Sequence, residues 1–110
     1  MCVHVEATEE ASHEGRFEEK IKALEQIDRH IVAPVRNKLQ NLGEHRLLIL
    51  PDHPTPCSTK KHSHGMVPMA VCGTGIRGYG NNYNEVDAKN APIRFSMGWE
   101  MMREFIRGNW

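Results

Sequence analysis

Paired cysteine spacing, a surplus of one charge and any long apolar run are all missing from this chain. Its three cysteines, Cys2, Cys57 and Cys72, are an odd number with no Cys-x-x-Cys spacing, which argues against a disulfide framework and a four-cysteine zinc knuckle. Fourteen basic residues cancel fourteen acidic ones, and Lys60-Lys61 is the only basic pair of note. The footprint of a phosphate-backbone binder is therefore missing, and no nucleic-acid partner is expected. The longest aliphatic run, Leu47-Leu48-Ile49-Leu50, falls far short of the roughly 20 residues that cross a bilayer. The acidic start from Met1 to Glu10 lacks the basic, apolar and cleavage-site order of a signal peptide. No membrane partner and a reducing, cytoplasmic location are expected. At 110 residues the chain is one small domain or a piece of a larger one.

What the chain has in surplus is histidine, seven in 110 residues, and neutral imidazole is a common ligand for transition metals. The residue order suggests an α/β fold. Cys2 to Glu6 carries β-branched residues at alternate positions, as a strand does. From about Gly15 the period becomes helical: Phe17, Ile21, Leu24, Ile27, Ile31, Val35, Leu39 and Leu42 step by three or four. Glu18 and Glu19 suit the positive end of that helix, and Gly43 suits its close. Pro34 lacks the amide for one backbone hydrogen bond, so a bend near Arg29 to Val32, or two helices end to end, is expected. Arg46 to Leu50 reads as a central parallel strand, Met66 to Cys72 as a third strand with Pro68 near its start, and Gly73 to Asn82 as loop. Phe95, Trp99, Met102 and Ile106 mark a final amphipathic helix whose Trp99 and Met102 are read as packing residues.

A strand, a long helix and a second strand form a right-handed crossover with parallel strands, and ligands bind outside the carboxyl ends of such strands. Residues 7 to 13 and 51 to 64 would leave the sheet there. Glu9, His13, Asp52, His53 and His62 can thus converge. Two carboxylates and three imidazoles suit Mn²⁺ or Zn²⁺ better than Ca²⁺ or Mg²⁺, and their number suits a pair of ions. His4, His30 and His45 read as surface or partly buried polar residues.

The segment Val3-His4-Val5-Glu6-Ala7-Thr8-Glu9-Glu10-Ala11-Ser12-His13-Glu14-Gly15, followed by Lys20 to Glu25, resembles a motif of the archaeal-type, cofactor-independent phosphoglycerate mutases. Leu50-Pro51-Asp52-His53-Pro54-Thr55-Pro56 with His62 to Pro68 is similar to that family's second metal motif, and the likeness runs on through Tyr83 to Ala88. The resemblance implies a fragment of the alkaline-phosphatase-like three-layer α/β/α fold with a mostly parallel sheet. It implies two divalent ions, Mn or Zn: Glu9, His13 and His62 would hold one, and Asp52 and His53 would help to hold the other. It also implies interconversion of 3- and 2-phosphoglycerate through a phosphoserine.

Three positions depart from the family. Glu9 stands for a usual aspartate, displacing the carboxylate by more than about an ångström; Ser12 stands for a usual glycine and Arg16 for a usual aspartate. Residues 1–110 would correspond to the C-terminal part of the phosphatase-like domain, with the N-terminal part and its nucleophilic serine absent. Completed by such a part the chain would take a phosphoglycerate; alone it is expected to be inactive. The other two readings are a non-catalytic metal-binding remnant and a functionless truncated product. In the last, exposed sheet edges would promote self-association.

Overall fold

The computed structural model describes residues 1–80 and 82–109. It divides into two compact units, residues 1–41 with 52–66 and residues 42–51 with 67–110.

The first unit is helical. Helix α1 (Ala7–Glu14) is built from good helix formers, with Glu9 and Glu10 in the first turn where their charge complements the helix dipole. Gly15, in the left-handed conformation at φ 77°, ends it. The amides of Gly15 and Arg16 close back on the Ser12 and Ala11 carbonyls. Ser12 is fully buried and its hydroxyl donates to the Thr8 carbonyl, so its polar group is satisfied within the helix. Arg16 pairs with Glu14 at 2.9 Å and Glu19 at 3.0 Å, bridging α1 and the next helix.

Helix α2 (Phe17–Ile27) leads through a π-helical segment (Asp28–Val32) into α3 (Ala33–Gln40). The wide turn falls where Pro34 removes an amide. The Ala33 N–H reaches five residues back to the Asp28 carbonyl, so one extra residue is taken up in the coil. The expected disturbance near Arg29 to Val32 takes this form.

The strand expected over Cys2 to Glu6 does not form. Residues 1–4 are exposed and belong to no ladder, and a period-2 pattern becomes a strand only where its amides find a partner. Residues 7 to 13, expected to leave a strand as loop, are helix α1 instead.

The second unit holds the only sheet among the described residues. Strand β1 (Arg46–Ile49) pairs antiparallel with β2 (Ala70–Gly73), Arg46 opposite Gly73 and Ile49 opposite Ala70. The parallel pairing expected for Arg46 to Leu50 is corrected accordingly, and the strand expected over Met66 to Cys72 is confined to its last part. A mostly parallel three-layer arrangement is not displayed by these elements. Gly73 has φ 129°, and a side chain there would collide with the His45 carbonyl that accepts the Thr74 amide. The close approach at this end of the ladder therefore requires glycine. The expected loop over Gly73 to Asn82 has no regular element beyond the end of β2 and a turn, Asn81 lying outside the described residues.

Helix α4 (Glu85–Asn90) is capped by Asn84, whose side chain accepts the Asp87 amide. Helix α5 (Gly98–Arg107) buries Met101. Trp99, Met102 and Ile106 are 64%, 44% and 71% exposed, which corrects their reading as packing residues: the helix is apolar over two adjacent faces and Met101 lies on the covered one. In the first unit Phe17, Ile21 and Leu24 of α2 are likewise exposed. Ala11 and Met101 are the only buried hydrophobic side chains among the described residues.

Two outcomes test this packing. Gly73→Ala is expected to cost about 1–3 kcal/mol, read as a lower urea midpoint by circular dichroism. Glu104, which accepts hydrogen bonds from Asn109 and Arg103 at the end of α5, has its pKa lowered, chiefly by Asn109. Protonating it removes a contribution present above its unfolded value, so stability falls as pH drops below about 4.5. Glu104→Gln is expected to reduce the difference between melting temperatures at pH 6 and pH 3.

Candidate metal centre

The centre lies wholly in the first unit. Glu9 and His13 are one helical turn apart on α1, the spacing that places two side chains on one face. Within this unit the loop of residues 52–66 is held by polar contacts, some to the helices and one inside the loop itself. Lys20 Nζ of α2 donates to the Thr55 carbonyl at 2.9 Å, the Ser63 amide donates to the Pro54 carbonyl at 2.8 Å, and His13 reaches the Lys60 carbonyl at 2.9 Å. The Pro54 contact closes a hairpin-like path that returns His62 beside His53, their ring centroids 3.9 Å apart.

Three ligand atoms meet at one point. Glu9 Oε1 lies 2.6 Å from His62 Nε2 and 3.3 Å from His13 Nε2, and the two nitrogens are 3.1 Å apart. Atoms bound to one ion at about 2.0–2.2 Å stand roughly 2.8–3.6 Å from each other at tetrahedral or octahedral angles. Two edges of the triangle fall in that interval; the third has the length of a hydrogen bond and needs to open by a few tenths of an ångström. One carboxylate and two imidazoles suit a borderline divalent ion. The residues thus fit a metal, and this is the single such group among the described residues.

The electrostatics agree with the geometry. A carbonyl only accepts, so Nδ1 of His13 donates to Lys60, and when the ring is neutral its lone pair lies on Nε2; a hydrogen bond from Nε2 to the Glu9 carboxylate requires a second proton on the ring, at the position where an ion would bind. A carboxylate likewise only accepts, so His62 donates its Nε2 proton to Glu9. The His62 bond, followed by that of His13, holds the Glu9 carboxyl below the usual carboxylate range. The Lys60 carbonyl, followed by Glu9, raises the His13 imidazole above its ordinary value. Without a cation at the common point, only protons offset the crowding of three electron-rich atoms.

Asp52 and His53 stand beside the triad without joining it. Asp52 Oδ1 accepts the His53 amide, its Oδ2 lies 3.4 Å from His53 Nε2, and the carboxylate is largely exposed. His53 Nδ1 shares a hydrogen bond with the hydroxyl of buried Thr55 at 3.1 Å. The structure therefore brings Glu9, His13 and His62 together, stacks His53 on His62, and leaves Asp52 with its own loop. Thr55 and the Lys60 carbonyl, which orient two of the imidazoles, escaped the reading of sequence. The Thr-Pro pair and the approach to His62 are there to be seen, but a carbonyl's direction carries no residue-type signal. His4, His30 and His64 are exposed and His45 is half-buried against the Gly43 carbonyl.

A carboxylate and two histidines meeting in this way form a group that could hold a metal ion, and comparison with known proteins adds the family. The family described as the Metalloenzyme superfamily matches residues 1–94, and the chain belongs to it. Among curated proteins, the 2,3-bisphosphoglycerate-independent phosphoglycerate mutase of Methanothrix thermoacetophila is 37% identical over 98% of this chain and 28% of its own length. That of Methanosarcina mazei is 49% identical over 67% of the chain and 19% of its own length. The probable enzyme of Geobacter sulfurreducens is 35% identical over 96% and 27%. The likeness read from the motifs is thus found along nearly the whole chain, which spans only about a fifth to a little over a quarter of these relatives. No solved structure matches it.

Glu9→Gln keeps the shape of the side chain and removes its charge. It is expected to lower zinc retained after gel filtration at least about tenfold with an unchanged far-ultraviolet spectrum, measured by inductively coupled plasma analysis; equal retention would contradict the assignment of Glu9.

Proposed function

We propose that this chain supplies metal ligands to a phosphoryl-transfer site of the cofactor-independent phosphoglycerate mutase type. Glu9, His13 and His62 hold one divalent ion, Mn or Zn. Asp52 and His53 contribute to a second, with the rest of its shell coming from polypeptide beyond this chain. The convergence of Glu9 Oε1, His13 Nε2 and His62 Nε2 carries the reading. Bound divalent ions in such sites offset the charge of a transferring phosphoryl group and lower the pKa of an attacking hydroxyl. This chain's own part is to present the ligands in a fixed order. Helix α1 sets the distance between Glu9 and His13, the Lys60 carbonyl sets the tautomer of His13, and Thr55 steadies the His53 ring.

The nucleophilic serine and the groups that grip a phosphoglycerate belong, on this reading, to an N-terminal part, and phosphate passes through a phosphoserine on its way between the 3- and 2-positions. The mostly parallel three-layer sheet of the alkaline-phosphatase type would also be completed there. The exposed stripe Phe17, Ile21 and Leu24 of α2 and the stripe Trp99, Met102 and Ile106 of α5 are consistent with faces that a larger fold covers. A second reading, a non-catalytic metal-binding domain, is favoured by one observation: the triad is complete within a single compact unit.

The isolated, metal-replete chain is expected to give no measurable conversion of 3-phosphoglycerate in an enolase-coupled assay. Turnover should appear when it is mixed with a polypeptide corresponding to the remainder of a relative. Conversion by the chain alone would contradict the proposal, and metal binding with no turnover in the mixture would favour the second reading.

A further inference from the structure

Lys60 is the only non-glycine residue with positive φ among the described residues, at 56°. This conformation costs an L-residue energy and persists where the surroundings over-determine it. The turn before it is a single helical coil: the amides of Thr59 and Lys60 both donate to the Pro56 carbonyl, at 3.2 and 2.9 Å. Had Lys60 continued that coil, its carbonyl would have followed the coil axis. In the left-handed conformation it turns aside and meets His13 Nδ1 at 2.9 Å, from a position 47 residues away in sequence. Gly15 lies beside this turn: a Cβ placed there would stand 2.5 Å from Cε of the flexible Lys60 side chain and 3.4 Å from the Cys57 carbonyl oxygen. Gly15 is itself left-handed and ends α1 two residues beyond His13. The two segments that carry His13 and His62 are thus brought together by a pair of left-handed residues, one of which is not glycine.

We infer that Lys60 is a positioning residue whose strained backbone, and not its ammonium group, aims a carbonyl at His13 and so presents the Nε2 lone pair to the metal. The inference rests on the metal-site reading proposed above. It assigns a role to the backbone of a residue whose side chain is exposed and is otherwise that of an ordinary surface lysine.

Two substitutions separate backbone from side chain. Lys60→Gly removes the ammonium group but adopts positive φ freely; Lys60→Val also removes the charge, and its β-branch resists positive φ. Two readouts apply: zinc affinity of the full chain by competition with a chromogenic chelator, and the His13 tautomer in the metal-free chain from ¹⁵N shifts of the imidazole. The expected result is wild-type affinity within about threefold and an Nδ1–H tautomer for Lys60→Gly. For Lys60→Val, affinity should fall about 10- to 100-fold, the usual effect of losing a partner that orients a ligand, with a mixed tautomer. Equal losses in both variants would assign the effect to the side chain and overturn the inference, as would wild-type behaviour in both. Should the wild-type chain bind no zinc, the site reading fails, and the tautomer readout still decides whether Lys60 orients His13.

Discussion

Three electron-rich atoms from distant parts of the chain share one point, and the arrangement of the first unit follows from that constraint. A carboxylate oxygen and two imidazole nitrogens within 3.3 Å of one another need positive charge between them. The fold meets this need by fixing each donor from behind. One turn of α1 separates Glu9 from His13, the Lys60 carbonyl anchors the far nitrogen of His13, and the Ser63 to Pro54 bond returns His62 to the same side as His53. Helix α2 takes part at a distance, through Lys20 and the Thr55 carbonyl. Glu9 in place of aspartate fits this geometry, because its longer side chain extends from a helical position to within 2.6 Å of His62.

Much of this was legible in residues. The helical stripe from Phe17, its disturbance before Pro34 and the terminal helix follow from period and proline chemistry, and Glu9, His13 and His62 were among the residues expected to converge. The helical nature of residues 7–14 was not read, although Ala, Glu and Gly15 at its end are helix signals, because the alternation at Val3 and Val5 suggested a strand leading into a loop. The direction of β1 was misread for a related reason. An unbroken apolar run such as Leu47 to Leu50 shows that both faces can be covered but says nothing of which neighbour supplies the hydrogen bonds. Backbone geometry was also out of reach: nothing in the letters of Ser58 to Lys61 marks position 60 as left-handed.

Apolar side chains lie open in both units. On α2 and α5 they recur at helical spacing and are exposed within their own units, and full burial of apolar side chains is confined to Ala11 and Met101 among the described residues. The three candidate ligands, by contrast, converge within their own unit. Assembly of the triad and completion of the core are therefore separable in this chain, so metal binding can be examined without catalysis.

The most direct measurement is X-ray absorption at the zinc edge of the zinc-loaded chain. The account predicts a shell of oxygen and nitrogen at about 2.0–2.2 Å with the outer scattering of two imidazole rings per ion and no sulfur. A sulfur shell at about 2.3 Å, the signature of cysteine ligation, or scattering from fewer than two imidazoles would contradict it.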